Sequence, residues 1–178
     1  MICFQNQSKQ LCNAHSLFLT ALKTVLPLLM LLSSFSVSYA KTIEPSKIRY
    51  DIEGVETGVE GTFLVKVYIY TGKADVGAEE IKYAAIHGVI FRGFSRKGYG
   101  TQKPIASPEI ETQKSDFFNA FWKNGDYLPY AEIVDPAAER IKTSKKEYKI
   151  GAIVSVSKDT LRKALAKAGI IKELNSGF

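Results

Sequence analysis

The stretch Thr62-Phe63-Leu64-Val65-Lys66-Val67-Tyr68-Ile69-Tyr70-Thr71 decides the fold. Phe63, Val65, Val67 and Ile69 fall on one side of an extended chain, and Leu64, Lys66, Tyr68 and Tyr70 on the other. Successive side chains of a strand point to opposite faces, so a wholly apolar side opposite a mixed one predicts a strand resting on a core. Thr71-Gly72-Lys73 ends it, and the pattern changes to a helical period. Asp75 is placed to cap the next helix, with Glu79 and Glu80 in early turns where the helix dipole favours acids. The inner stripe, Ala78, Ile81, Ala84 or Ala85 and Gly88, is small enough for a close approach to a sheet.

Further along, His87-Gly88-Val89-Ile90-Phe91 either finishes this helix or turns into a β-rich segment running to Phe94. Residues 95–113, with Pro104 and Pro108, lack periodicity and read as a loop. Ser115 caps a short aromatic helix over 116–123, stopped by Asn124-Gly125. A connection follows through Tyr127, Pro129, Tyr130 and Pro136. Residues 138–143 and 147–157 read as strands around the turn Ser144-Lys145-Lys146, the second with Tyr148, Ile150, Ala152, Val154 and Val156 on one side. Ser157 or Asp159 opens a last helix with Leu161, Ala164, Leu165 and Ala168 inward, and Gly169 suits a left-handed C-terminal cap. Residues 41–61 read as an irregular entry segment. The order β-α-loop-α-β-β-α predicts an α+β fold: a small, largely antiparallel sheet with helices packed on one face.

Upstream, residues 1–40 hold no Asp or Glu, and their basic side chains are Lys9 and Lys23. The run Val25-Leu26-Pro27-Leu28-Leu29-Met30-Leu31-Leu32 is followed by small and polar residues ending Ser38-Tyr39-Ala40. That layout predicts a secretory signal peptide cut after Ala40, and hence a periplasmic or extracellular location. A membrane anchor needs about 20 mostly apolar residues, whereas Ser33, Ser34, Ser36 and Ser38 dilute this run. A lipoprotein needs Cys after the cut, where Lys41 stands. The exported part is then 178 − 40 = 138 residues, one domain over 41–178 with no transmembrane segment. Cys3 and Cys12 leave with the leader, which removes disulfides and thiolate chemistry. The remaining charge is 22 basic less 18 acidic side chains, +4. It is uneven, with acids concentrated over 44–60 and ten Lys or Arg between Arg140 and Lys172. This describes either a basic face for an acidic glycan, lipid headgroup or nucleic acid, or the solvated sides of strands and a helix. Export argues against nucleic acid as the partner.

His87 is the single histidine after export, and any Ser–His arrangement would have to pass through it. Between Ile86 and Gly88 on an apolar helix side it reads as a structural imidazole. One His without Cys is a poor zinc set. Asp51, Glu53, Glu56 and Glu60 lack the spacing of a calcium loop. No metal and no cofactor is expected, and no residue is assigned a catalytic role. The densest aromatic run, Phe117-Phe118 and Phe121-Trp122 with Tyr127 and Tyr130, has spacings that cannot all face one side of a helix. Phe117, Trp122, Tyr127 and Tyr130 are therefore the candidate binding residues, against the alternative that these rings plug the sheet.

The segments 61–67, His87-Gly88-Val89-Ile90-Phe91-Arg92-Gly93, 147–151 and 158–172 together resemble a family of small exported proteins from Bacteroidetes-type bacteria with no assigned activity. The resemblance covers nearly all of the chain after the leader. It implies a Gram-negative envelope or extracellular location and brings no catalytic residues with it. Two functional classes follow. The first is a non-enzymatic envelope or secreted binding module with a protein or glycan partner. The second is a hydrolase working with two carboxylates on an envelope or dietary polymer.

Overall fold

The computed structural model describes residues 48–55, 59–98 and 100–172. They belong to one unit spanning residues 42–178. The predicted leader, residues 1–40, lies outside the described residues. The fold is α+β, built on a six-stranded, mostly antiparallel open sheet in the order β4 (Gly100–Gln102), β3 (Phe94–Arg96), β1 (Arg49–Gly54), β2 (Phe63–Thr71), β6 (Glu147–Val156), β5 (Ala131–Ser144).

The strand that opened the sequence reading is β2, Phe63–Thr71. Its antiparallel neighbours are β1, Arg49–Gly54, and β6, Glu147–Val156. Tyr50 and Ile52 stand opposite Ile69 and Val67, while Ile150, Ala152, Val154 and Val156 stand opposite Ile69, Val67, Val65 and Phe63. All the apolar sides therefore coincide on one face of the sheet. The supposed irregular entry at 41–61 thus contains a full strand. Its alternation Arg49-Tyr50-Asp51-Ile52-Glu53 was hidden by charges on the solvent side.

The β5 strand is Ala131–Ser144, longer than the predicted 138–143, so part of the expected connection is strand. Its register against β6 shifts between Ile133 and Asp135 and again between Asp135 and Glu139. Pro136 sits in that irregularity. Proline has no N–H for the ladder and is tolerated on an edge strand at a bulge.

Helix α1, Ala78–His87, begins after Gly77, with no side-chain cap. Asp75 does not cap it, and instead accepts from Arg140 at 2.8 Å. Ile81, Tyr83, Ala84, Ala85 and Ile86 are buried, whereas Ala78 is exposed. The helix then widens into a π-helical turn, Gly88–Arg92. A Cβ on Gly88 would stand 2.7 Å from Ile52 Cδ1, so glycine lets this turn press against β1. The Gly93 N–H closes the turn on the Gly88 carbonyl at 2.9 Å, and Gly93 takes φ +66°. Residues 88–94 are thus helical first, then extended.

The predicted loop over 95–113 holds three elements. A small hairpin, β3 (Phe94–Arg96) and β4 (Gly100–Gln102), adds to the sheet through a parallel pairing of β3 with β1. Ile105 and Ala106 N–H groups then donate to the carbonyls of Val89 and Ile90. Helix α2, Pro108–Gln113, follows. Helix α3 is Ser115–Lys123, with Lys114 rather than Ser115 at the cap position. A 3-10 turn, Leu128–Tyr130, leads into β5.

Helix α4, Lys158–Lys167, ends as the sequence predicted. Gly169 has φ +68° and donates to Ala166 O, while Ile170 donates to Leu165 O. These two bonds satisfy orphan carbonyls in the Schellman pattern, and buried Ile170 adds the apolar contact that accompanies it. Among the described residues no helix is long and apolar enough to cross a membrane.

Candidate functional site

The aromatic run of α3 goes mostly inward. Phe118, Phe121, Trp122 and Tyr127 are buried, and Phe117 and Tyr130 pack half-buried against them. The rings of Trp122 meet Tyr83, Phe121 and Tyr127 edge-on at 4.9, 4.9 and 5.3 Å. Trp122 and Tyr127 are 5 % and 1 % exposed, so neither ring offers a surface to a ligand. Of the four candidate binding residues, only Phe117 and Tyr130 keep part of their area outside. The reason is topological: the covered face of the sheet needs a thick apolar plug, and α3 supplies it.

His87 lies beside this plug at the centre of a polar relay. The Tyr50 hydroxyl donates to Nδ1 at 2.5 Å, and Nε2–H donates to the Glu111 carboxylate at 3.1 Å. A carboxylate can only accept, which fixes the neutral tautomer with its proton on Nε2. The Arg92 guanidinium stands 4.1 Å from the Tyr50 ring centre and donates to the Tyr50 carbonyl at 2.7 Å. The relay joins β1, α1 and α2. Its phenol end is sealed in the core, Tyr50 being 3 % exposed, so the only end open to water is Glu111. The arrangement ties α2 to the core.

Burial lowers the proton affinity of His87 below that of an ordinary histidine, and Arg92 adds to this against the opposing pull of Glu111. Burial likewise pushes the Tyr50 phenol up. The unfolded chain, whose imidazole titrates near about pH 6.5, therefore takes up the proton first on acidification. The stability that neutral His87 confers is complete above that pH and is lost as pH falls below it. The thermal midpoint is expected to fall between about pH 7 and pH 5. His87→Gln should begin about 1–3 kcal/mol less stable at neutral pH and fall more gently. An equally steep fall in the variant would place the titrating group elsewhere.

Among the described residues, the helices bury their side chains in the core on one side of the sheet, and the other face carries Lys66, Tyr68, Tyr70 and Glu139. Its middle neutralises itself: Lys66 reaches Glu139 at 2.6 Å, Tyr68 donates to Glu139 at 3.2 Å, and Tyr70 donates to Asp51 at 2.7 Å. Gly151 leaves room for the Tyr68 ring, since a Cβ there would stand 3.0 Å from it. Lys149 caps the ring at 4.0 Å, and Tyr68 is only 8 % exposed although it faces solvent.

One end of the sheet is different. Arg49 pairs with Tyr70, Tyr70 with Lys149, and Thr71 with Tyr148. A Cβ on Gly72 would lie 3.3 Å from the Lys146 carbonyl, which sets the 72–77 loop beside the β5–β6 turn. Arg49, Lys73, Arg140, Lys142, Lys145, Lys146 and Lys149 are thereby gathered. Two of them are neutralised, Arg49 by Glu147 at 2.5 Å and Arg140 by Asp75 at 2.8 Å. Among the described residues, Lys73, Lys142, Lys145, Lys146 and Lys149 have no carboxylate within 4.0 Å. Stacking of Lys149 and Lys142 on tyrosine rings leaves their charge in place.

No family model, characterised protein or solved structure matches this chain.

The sequence showed the basic excess after Arg140 but not its division. Lys158, Arg162, Lys163 and Lys167 lie on α4, which follows Val156, and Val156 pairs with Phe63 at the opposite end of β2. Lys73, distant in sequence, joins the hairpin cluster only through the fold. Among the described residues no three His, Cys, Asp or Glu side chains converge to hold a metal ion.

Proposed function

We propose that the protein is an exported, non-enzymatic binding module whose basic sheet end takes an anionic partner of the cell envelope. The observation that carries this reading is the cluster of five lysines at that end, none of which has a carboxylate within 4.0 Å among the described residues. Like charges gathered without counter-charges repel one another, and an anionic ligand relieves that repulsion. Lys142, Lys145, Lys146 and Lys149 belong to the β5–β6 hairpin, and Lys73 to the loop beside it. The leader-like first forty residues and the resemblance to small exported proteins support the location. This reading places binding at the lysine cluster instead of at Phe117, Trp122, Tyr127 and Tyr130.

The test is equilibrium binding of two anionic probes, polygalacturonate and vesicles containing phosphatidylglycerol, at low and at physiological ionic strength. Lys145→Glu with Lys146→Glu should weaken whichever probe binds by about 10- to 100-fold at low salt. Wild-type binding should also fall as salt rises. If wild-type protein binds neither probe at low ionic strength, this reading is wrong.

A further inference from the structure

We infer that the anionic partner is a membrane surface, met by the tip of the β5–β6 hairpin. This rests on the proposed binding reading and narrows it to one source of negative charge. Residues 140–146 are all exposed, and within them Ile141 stands 43 % exposed between Arg140 and Lys142. Ile141 pairs with Lys149 and lies in the cross-strand row of Arg49, Tyr70 and Lys149. Tyr148, half-buried, has the Lys142 ammonium 5.9 Å from its ring centre. The hairpin tip therefore combines an exposed branched aliphatic side chain, tyrosine rings and lysines with no carboxylate within 4.0 Å among the described residues.

A soluble polyanion would be matched by the lysines alone and would gain nothing from Ile141. A bilayer interface offers both layers, charged headgroups over an acyl boundary, and lysines there lay their stems on apolar surface while the ammonium stays with the headgroups. Tyrosine suits the same depth, with one end apolar and the other wet. The charge arrangement points the same way. Glu147 and Asp75, the carboxylates nearest the tip, are already held by Arg49 and Arg140 and do not cancel the lysines.

Purified protein is sedimented with vesicles of phosphatidylcholine alone and of phosphatidylcholine mixed with phosphatidylglycerol. Polygalacturonate binding is measured in parallel. Variants are compared with wild type, so any contribution of residues 1–47 is common to all. Phosphatidylglycerol should raise wild-type binding at least about tenfold, and Lys142→Glu/Lys145→Glu/Lys146→Glu should cancel about 100-fold of affinity. Ile141→Asn should lower vesicle binding about fivefold and leave polygalacturonate binding unchanged. Circular dichroism checks that each variant is folded, and these positions are exposed strand and turn sites. Binding of polygalacturonate without binding of phosphatidylglycerol vesicles overturns the membrane assignment and leaves the broader reading standing. Vesicle binding that Ile141→Asn does not weaken overturns the hairpin insertion. Binding of neither probe overturns both.

Discussion

Gly93→Ala is expected to be the most damaging single-methyl change in the domain. Gly93 has φ +66° and ψ −175°, a region that side chains other than hydrogen essentially do not enter. The strain alone costs about 1–3 kcal/mol. A Cβ at this position would also stand 2.4 Å from the Gln102 carbonyl oxygen and 3.0 Å from the Pro104 nitrogen. Both are backbone atoms, so relief requires moving the β3–β4 hairpin rather than turning a rotamer. That hairpin is tied to β1 through β3 and to the π turn through Ile105 and Ala106. Overpacking of this kind adds about 1–3 kcal/mol, for a total of about 2–6 kcal/mol. A domain of this size has about 5–15 kcal/mol in all, so the variant should melt about 10–20 °C lower or fail to accumulate. Gly98→Ala separates the two causes. Gly98 has φ +82° but nothing within 4 Å of its would-be Cβ, so it should lose only the strain part. Equal shifts for the two variants would show that the clash at Gly93 contributes nothing.

The second large effect is expected at Trp122. Truncation to alanine removes a buried ring in contact with Tyr83, Phe118, Phe121 and Tyr127, at a cost of about 3–5 kcal/mol. The indole Nε1 has no hydrogen-bond partner among the described residues. A buried donor without an acceptor itself costs about 1–3 kcal/mol. Trp122→Phe therefore gives up ring area and also sheds that penalty, and it should lose less than about 1.5 kcal/mol. Urea unfolding of both variants checks this. A Trp122→Ala protein as stable as wild type would mean that the ring is not part of the core and would reopen a surface role for it.

The parts of the fold legible in the sequence are those whose pattern repeats long enough to be counted. Both β2 and β6 show four or more inward apolar residues, and α4 ends on a glycine in the expected place. The β1 strand has only Tyr50 and Ile52 facing inward, set among charges that drew attention to the solvent side. The β3 and β4 strands are three residues each, too short to show a period. Pro136 lies in the segment that reads as a connection, and a bulge on the edge strand accommodates it. A π-helical turn follows no period used to read helices, so Val89, Ile90 and Phe91 looked undecided. The aromatic run was visible, but whether Trp122 and Tyr127 lie in or out depends on what covers the sheet. The relay of Tyr50, His87 and Glu111 joins residues 37 and 24 positions apart, and nothing local marks it. The lysine cluster has the same character: its hairpin members were in plain view, but their separation from α4 is a property of strand order.

The place of β1 in the strand order has a practical consequence for anyone trimming or fusing this chain. It is the earliest described strand and lies in the interior, between β2 and β3. Shortening a protein from its start commonly frays an edge that the rest can spare. Here a cut past Tyr50 would take out the piece that bridges β3–β4 to β2–β6–β5, leaving two fragments of sheet with unsatisfied seams. A cut before Ile48 leaves every described pairing intact. Boundaries for expression and reporter fusions therefore belong upstream of Ile48 or beyond Ile171, and a protease nick within β1 would be expected to unfold the domain.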